Sequence, residues 1–199
     1  MNPTRRGFVF SMLAAGAALG GMFLLGGMFP SSATAADAGA KKSLVVYYSW
    51  SGNTRGVAAQ IHQKVGGDMM ELELVTPYSA NYNTCLDEAK RDQAQDARPE
   101  LKTRIPDISQ YDVVYLGYPN WWATIPMPIA SLLESYDFSG KTIAPFCSHG
   151  GGRLGQSVTD IAKLAPNAQI TEGLPVHYRG GNSLERDIAN WLIKTGLGA

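Results

Sequence analysis

Leu44-Val45-Val46-Tyr47-Tyr48 runs directly into Ser49-Trp50-Ser51-Gly52-Asn53-Thr54, and Val57, Ala58, Ile61 and Val65 then recur at helical spacing until Gly66-Gly67. Five consecutive apolar and aromatic residues without polar alternation suit a strand buried on both faces of a parallel sheet. The 3.6-residue recurrence after the loop is that of a helix laying its apolar stripe on such a sheet. Strand, tight loop and helix in this order open a βαβ unit, and the rest of the chain repeats the alternation.

Working outward, Met69 to Val75 alternates as a second strand and Val113-Val114-Tyr115-Leu116-Gly117 is a third. Pro128 suits a helix's first turn, with Ile129, Leu132, Leu133 and Tyr136 on one face. A fourth strand covers Thr142 to Cys147, where Pro145 lacks a ladder donor and predicts a bulge or bend. Val158, Ile161 and Ala162 mark the next helix, and Gln169 to Val176 reads as the fifth strand. Asn182 and Glu185 have capping-box spacing before a final helix carrying Leu184, Ile188, Trp191 and Leu192. The expected fold class is α/β, a doubly wound five-stranded parallel sheet in one domain over residues 43–199. The polar connection Thr76 to Gln110 is unusually long, and one helix around Tyr82 to Gln95 accounts for only part of it.

The 199 residues carry 17 basic and 17 acidic side chains, so no global field favours nucleic acid. Cys85 and Cys147 form no CxxC pair and are read as free thiols; no HExxH or other metal-ligating spacing occurs, and no metal site is expected. Residues 7–29 are uncharged, follow Arg5-Arg6 and precede Ala33-Thr34-Ala35, the layout of a secretory signal ending near residue 35, with 36–42 as linker. Thr4-Arg5-Arg6-Gly7-Phe8-Val9 resembles a twin-arginine export signal, which places the mature chain in the periplasm. An uncleaved membrane anchor is the competing reading, since about 20 apolar residues span a bilayer. Cleavage after Ala35 leaves 15 basic and 17 acidic residues, a net charge of −2.

Ligands of doubly wound sheets bind beyond the strands' carboxyl ends. That singles out three loops. Ser49, Trp50, Ser51, Gly52, Asn53 and Thr54 combine hydroxyls, a glycine and a helix amino terminus, a cradle for one phosphate. The loop is neutral and lacks the lysine of a nucleoside-triphosphate loop. Pro119, Asn120, Trp121, Trp122, Ala123 and Thr124 place two adjacent tryptophans after the third strand, suited to stacking on a flat aromatic ligand. Ser148, His149, Gly150, Gly151 and Gly152 form a glycine-rich loop, read as backbone approaching a planar ligand closely.

Ser-Trp-Ser-Gly-Asn-Thr (49–54) resembles the phosphate loop of the flavodoxins, and residues 118–128 and 145–152 resemble the flavin loops of bacterial flavodoxin-like FMN proteins. The resemblance implies a flavodoxin-like sheet of order 2-1-3-4-5 holding FMN non-covalently. It implies that Ser49 and Ser51 to Thr54 hold the 5′-phosphate and that Pro119 to Thr124 border the ring, with Trp121 or Trp122 beside it. Ser148 to Gly152 would then meet the pyrimidine side. Electron carriers of this family are usually strongly acidic and cover the outer flavin face with a third-loop tyrosine. Here the mature charge is −2 and residues 147–155 hold no aromatic, which predicts an uncovered face.

An uncovered face and weak charge favour a reductase, whereas export away from the cytoplasmic nicotinamides favours electron transfer in the cell envelope. The latter is the expectation, with a redox partner protein or a quinone-like small molecule. The alternatives are an FMN-dependent NAD(P)H/quinone-type oxidoreductase and a flavin-free binding module. His149 is the candidate catalytic residue, as a donor to the flavin or to product, because its ordinary pKa near 6.5 suits proton exchange. The competing role is a loop histidine bonded to backbone.

Overall fold

The computed structural model describes residues 41–198; the expected signal and most of the linker lie outside them. Ser43–Tyr47 (β1) leads through the first loop to Asn53–Val65 (α1) and then Asp68–Glu71 (β2). Tyr82–Ala94 (α2) lies inside the long connection before Val113–Pro119 (β3). Met127–Ser135 (α3), Thr142–His149 (β4), Ser157–Leu164 (α4), Gln169–Ile170 (β5), Leu174–His177 (β6) and Leu184–Lys194 (α5) complete the order. All strand pairs are parallel, and the sheet runs β2-β1-β3-β4-β5, as expected.

The period-two geometry of the strands divides the core. Leu44, Val46, Val114, Leu116 and Ile143 face Ile129, Leu132 and Ile161 of α3 and α4. Val45, Tyr47, Val113, Tyr115, Ala144 and Phe146 face Val57, Ala58 and Ile61 of α1 and Leu184, Ile188 and Trp191 of α5. Helices thus seal both faces, which is why the inner strands read as continuous apolar runs. The first face also takes Leu101, Ile105 and Ile108, so much of the long connection is core.

Four local expectations differ from what is found. The second strand stops at Glu71, because the chain turns away and Leu74 bridges Leu101 antiparallel. Pro145 causes no bulge: β4 keeps register with β3 through Leu116↔Pro145. Its missing donor faces the other neighbour, and there the expected fifth strand breaks into β5, paired up to Ile143↔Ile170, and β6, paired from Phe146↔Leu174. The capping box at Asn182 is not made; Gly181–Ser183 forms a 3₁₀ turn and the Ser183 hydroxyl donates to Asp187 at 2.8 Å.

Candidate functional site

The loops after β1, β3 and β4 converge on one cleft of about 580 Å³, well within the ~300–1,000 Å³ range of small-molecule sites. Trp50, Ser51 and Asn53 line it from the first loop, Pro119 to Trp122 from the second, and Ser148 to Gly150 from the third.

In the first loop, Gly52 (φ 81°) turns the chain into α1. Ser49 Oγ accepts from Arg55 N at 3.2 Å, which leaves its hydroxyl proton to donate. The N–H groups of Asn53 and Thr54 make no hydrogen bond among the described residues. Thr54 is buried, and its Oγ1 lies 2.8 Å from Ser148 Oγ, tying the first loop to the third. Trp50 Nε1 donates to Ser79 O at 3.0 Å. The loop is neutral in sequence but not in space. A Cβ placed on Gly52 would lie 3.6 Å from a terminal nitrogen of both Arg55 and Arg179. Arg55 is held by both Glu71 carboxylate oxygens (2.7 and 2.6 Å). Hydroxyls, free first-turn N–H groups and a nearby cation are the donor set a phosphate monoester requires, so the residues present fit FMN at this end.

The second loop is a type I′ turn. Trp121 and Thr124 exchange two backbone hydrogen bonds of 3.1 Å, with Trp122 (φ 51°) and Ala123 (φ 67°) left-handed between them. Two successive non-glycine residues there cost on the order of 1–2 kcal/mol each, and such strain clusters at ligand sites. The turn separates the tryptophans. Trp121 is half-buried, edge-on to Tyr48 at 5.6 Å and Tyr78 at 5.2 Å. Trp122 is 44% exposed, its Nε1 donating to Leu86 O at 3.2 Å and Lys90 Nζ lying 5.1 Å from its ring. Ala123 and Thr124 support the turn from behind and do not line the cleft: Ala123 O accepts from Gln156 N at 2.8 Å, and the Thr124 hydroxyl donates to Asp160 at 2.5 Å.

In the third loop, Gly151 N donates to His149 Nδ1 at 3.0 Å, so His149 is a neutral ring with its proton on Nε2. Burial first, then His177 and Arg153, hold its pKa below the ordinary value. His149 therefore shapes the loop while keeping one N–H at the cleft. Gly152 packs against the Asn120 amide, which donates to Arg153 O at 2.6 Å, and neither Gly151 nor Gly152 lines the cleft. Gly152 thus makes room for a neighbouring protein group, the Asn120 amide. Burial pushes the Cys147 thiol up to about 12 and Cys85 to about 11, so neither thiol is primed for chemistry.

Two elements complete the site that the three-loop reading missed. Tyr82 and Leu86 of α2 form one wall, so part of the long connection is site structure. The turn after β6 brings Tyr178, 55% exposed and left-handed (φ 49°), whose N–H donates to His149 O at 2.8 Å. A Cβ on Gly150 would lie 3.2 Å from Tyr178 Oη. The expectation of a site without an aromatic at the third loop is thus corrected: the aromatic arrives from another strand end. The signal was available, because Tyr178-Arg179-Gly180-Gly181 also follows a strand's carboxyl end.

Similarity to known proteins agrees with this geometry. The chain resembles a crystal structure from Bacteroides eggerthii DSM 20697 designated a flavoprotein, with 30% identity and a TM-score of 0.69 over 79% of this chain and 99% of that one. A flavoprotein from Lactobacillus acidophilus NCFM, solved in complex with FMN, is 27% identical with a TM-score of 0.60, over 68% of this chain and 92% of that one. Flavodoxin 2 from Bacillus cereus, at 18% identity and a TM-score of 0.51 over 78% and 97%, shares the fold. No curated protein matches. The family model for flavodoxin matches residues 42–195. By that match, and by its sheet order and three-loop cleft, the chain belongs to the flavodoxin family.

Proposed function

We propose that this protein binds FMN non-covalently in the three-loop cleft and carries electrons in the cell envelope. The observation that supports this best is the pairing, in one cleft, of a phosphate donor set at α1 with the aromatic walls Trp122, Tyr82 and Tyr178. FMN, when bound, supplies the one- and two-electron chemistry, and the protein supplies position and electrostatics. Ser49, Ser51 and the Asn53 and Thr54 N–H groups hold the phosphate. Trp122 offers its exposed face to the ring, while the third-loop backbone and His149 Nε2–H are donors for its polar edge.

Tyr178 beside the third loop favours a carrier, because it supplies an aromatic wall at the place where an uncovered face would admit a substrate. The modest charge of the domain favours the second reading, an FMN-dependent NAD(P)H/quinone-type oxidoreductase. Anaerobic reductive titration of the FMN-loaded chain separates them: two resolved one-electron steps support the carrier. Rapid quinone turnover with a nicotinamide donor supports the reductase.

Binding itself is tested by titrating the full chain with FMN and following flavin fluorescence. Trp122→Ala should weaken FMN by about 1–3 kcal/mol, the usual worth of stacking on an aromatic side chain. Trp121→Ala should instead lower stability by about 2–3 kcal/mol, since its ring is wedged between Tyr48 and Tyr78. A chain that ignores FMN overturns the proposal, and unchanged affinity in Trp122→Ala overturns the placement of the ring.

Export through the twin-arginine signal is part of the same proposal, since transport of a folded protein allows loading with FMN beforehand. Replacing Arg5 and Arg6 by lysine should retain the protein in the cytoplasm. Periplasmic recovery of that variant at wild-type levels would remove export by this route.

A further inference from the structure

We infer that Arg179 is the charge partner of the FMN 5′-phosphate, so that the site selects FMN over riboflavin through a guanidinium delivered from the turn after β6. The inference rests on the FMN reading above and adds a residue outside the three loops.

Arg179 Nε donates to Asn53 Oδ1 at 3.0 Å, which fastens the side chain to the first residue of α1. Its Nη2 lies 3.6 Å from where a Cβ on Gly52 would stand, so its terminal nitrogens sit at the mouth of the phosphate loop. The other cation there is already neutralised, because Arg55 is clamped by Glu71. Arg98 is likewise held by Asp96 and Glu134. Among the described residues no carboxylate pairs with Arg179. Its turn is also held in place: Tyr178 N bonds to His149 O at 2.8 Å and Gly180 N to His177 O at 2.9 Å.

A phosphate monoester carries about −1.5 to −2 charge at pH 7. Hydroxyls and backbone N–H groups solvate that charge without cancelling it. A guanidinium oriented through Nε keeps its remaining N–H donors for the phosphate oxygens, the fork geometry that favours arginine over lysine. Arg179 is the cation at the loop left to do this.

The test measures FMN and riboflavin affinities of the full chain by flavin fluorescence. Arg179→Gln should weaken FMN about tenfold to a hundredfold, the worth of a hydrogen bond to a charged group, and leave riboflavin within about twofold. Arg179→Lys, which keeps the charge but not the fork, should fall between. The wild-type preference for FMN should decline more steeply with salt than that of Arg179→Gln. An unchanged FMN-to-riboflavin ratio in Arg179→Gln overturns the inference, whether both affinities hold or both fall together. A wild-type chain that binds neither flavin overturns the FMN reading itself, which this comparison distinguishes from failure of Arg179 alone.

Discussion

Gly117→Ala is expected to destabilise the protein by about 3 kcal/mol, an overpacking cost in the middle of the sheet. Gly117 lies in β3 between Tyr47 of β1 and Phe146 of β4 in the sheet register. An added Cβ would stand 2.2 Å from Phe146 Cζ, 2.4 Å from Cε2 and 2.7 Å from Tyr47 Cβ. The Phe146 ring is wholly buried between β4 and the α1–α5 face, so it cannot swing aside without displacing its neighbours. Replacing a strand glycine by alanine gains about 0.5–1 kcal/mol of backbone entropy, too little to offset the clash. A urea titration reads the loss as a lower midpoint at unchanged slope. Gly117→Ala combined with Phe146→Leu should recover part of it, a favourable coupling in the double-mutant cycle. A midpoint at the wild-type value for Gly117→Ala would mean that the sheet opens more freely than its packing indicates.

That contact also shows where sequence reading succeeds and where it stops. Val113 to Leu116 declare a strand buried on both faces by apolar continuity alone, and α1 declares itself by the spacing of Val57, Ala58, Ile61 and Val65. Both are local signals. The need for glycine at 117 depends on Phe146, 29 positions away, and becomes visible only when β3 and β4 are in register. Pro145 has the same history: its missing donor is harmless because the neighbouring strand is interrupted opposite it, a property of residues 171–173 rather than of Pro145.

The site divides along the same line. The loops after β1, β3 and β4 were legible because a strand followed by hydroxyls, tryptophans or glycines is a local pattern. Which tryptophan presents an exposed face to the cleft was not, since the type I′ turn that half-buries Trp121 and exposes Trp122 depends on backbone angles the sequence does not display. Tyr178 and Arg179 also follow a strand's carboxyl end, but they carry no hydroxyl or tryptophan pattern of their own, and their value comes from His149 and Asn53, far away in sequence. The charge beside the first loop was therefore invisible from residues 49–54 alone.

Gly155→Ala should lower FMN affinity at least tenfold while leaving a folded protein. Gly155 is left-handed (φ 53°), and a Cβ there would lie 2.2 Å from Ala123 O, 2.8 Å from Ala123 C and 3.1 Å from its Cα. All three are backbone atoms, so no side chain can rotate out of the way. One of two bodies must move, the entrance of α4 or the type I′ turn. The α4 side is the firmer: Ser157 is fully buried, its hydroxyl donating to Leu154 O at 2.6 Å and accepting from Tyr118 Oη at 2.8 Å. The turn is strained at Trp122 and Ala123 and has the exposed Trp122 at its tip. It should yield, break the Gln156 N to Ala123 O bond of 2.8 Å, and carry Trp122 off the cleft wall. Gly140→Ala is the control. It is also left-handed (φ 73°) but has no atom within 4 Å of the added Cβ, and it lies before β4, away from the cleft. Both variants incur the backbone cost of about 1–2 kcal/mol, and only Gly155→Ala adds the displacement. Loss of FMN affinity confined to Gly155→Ala locates the turn as the element that sets the ring wall. Equal affinity in the two variants would show that Trp122 keeps its place when Ala123 is pushed, and that the strain at the turn does not serve the cleft.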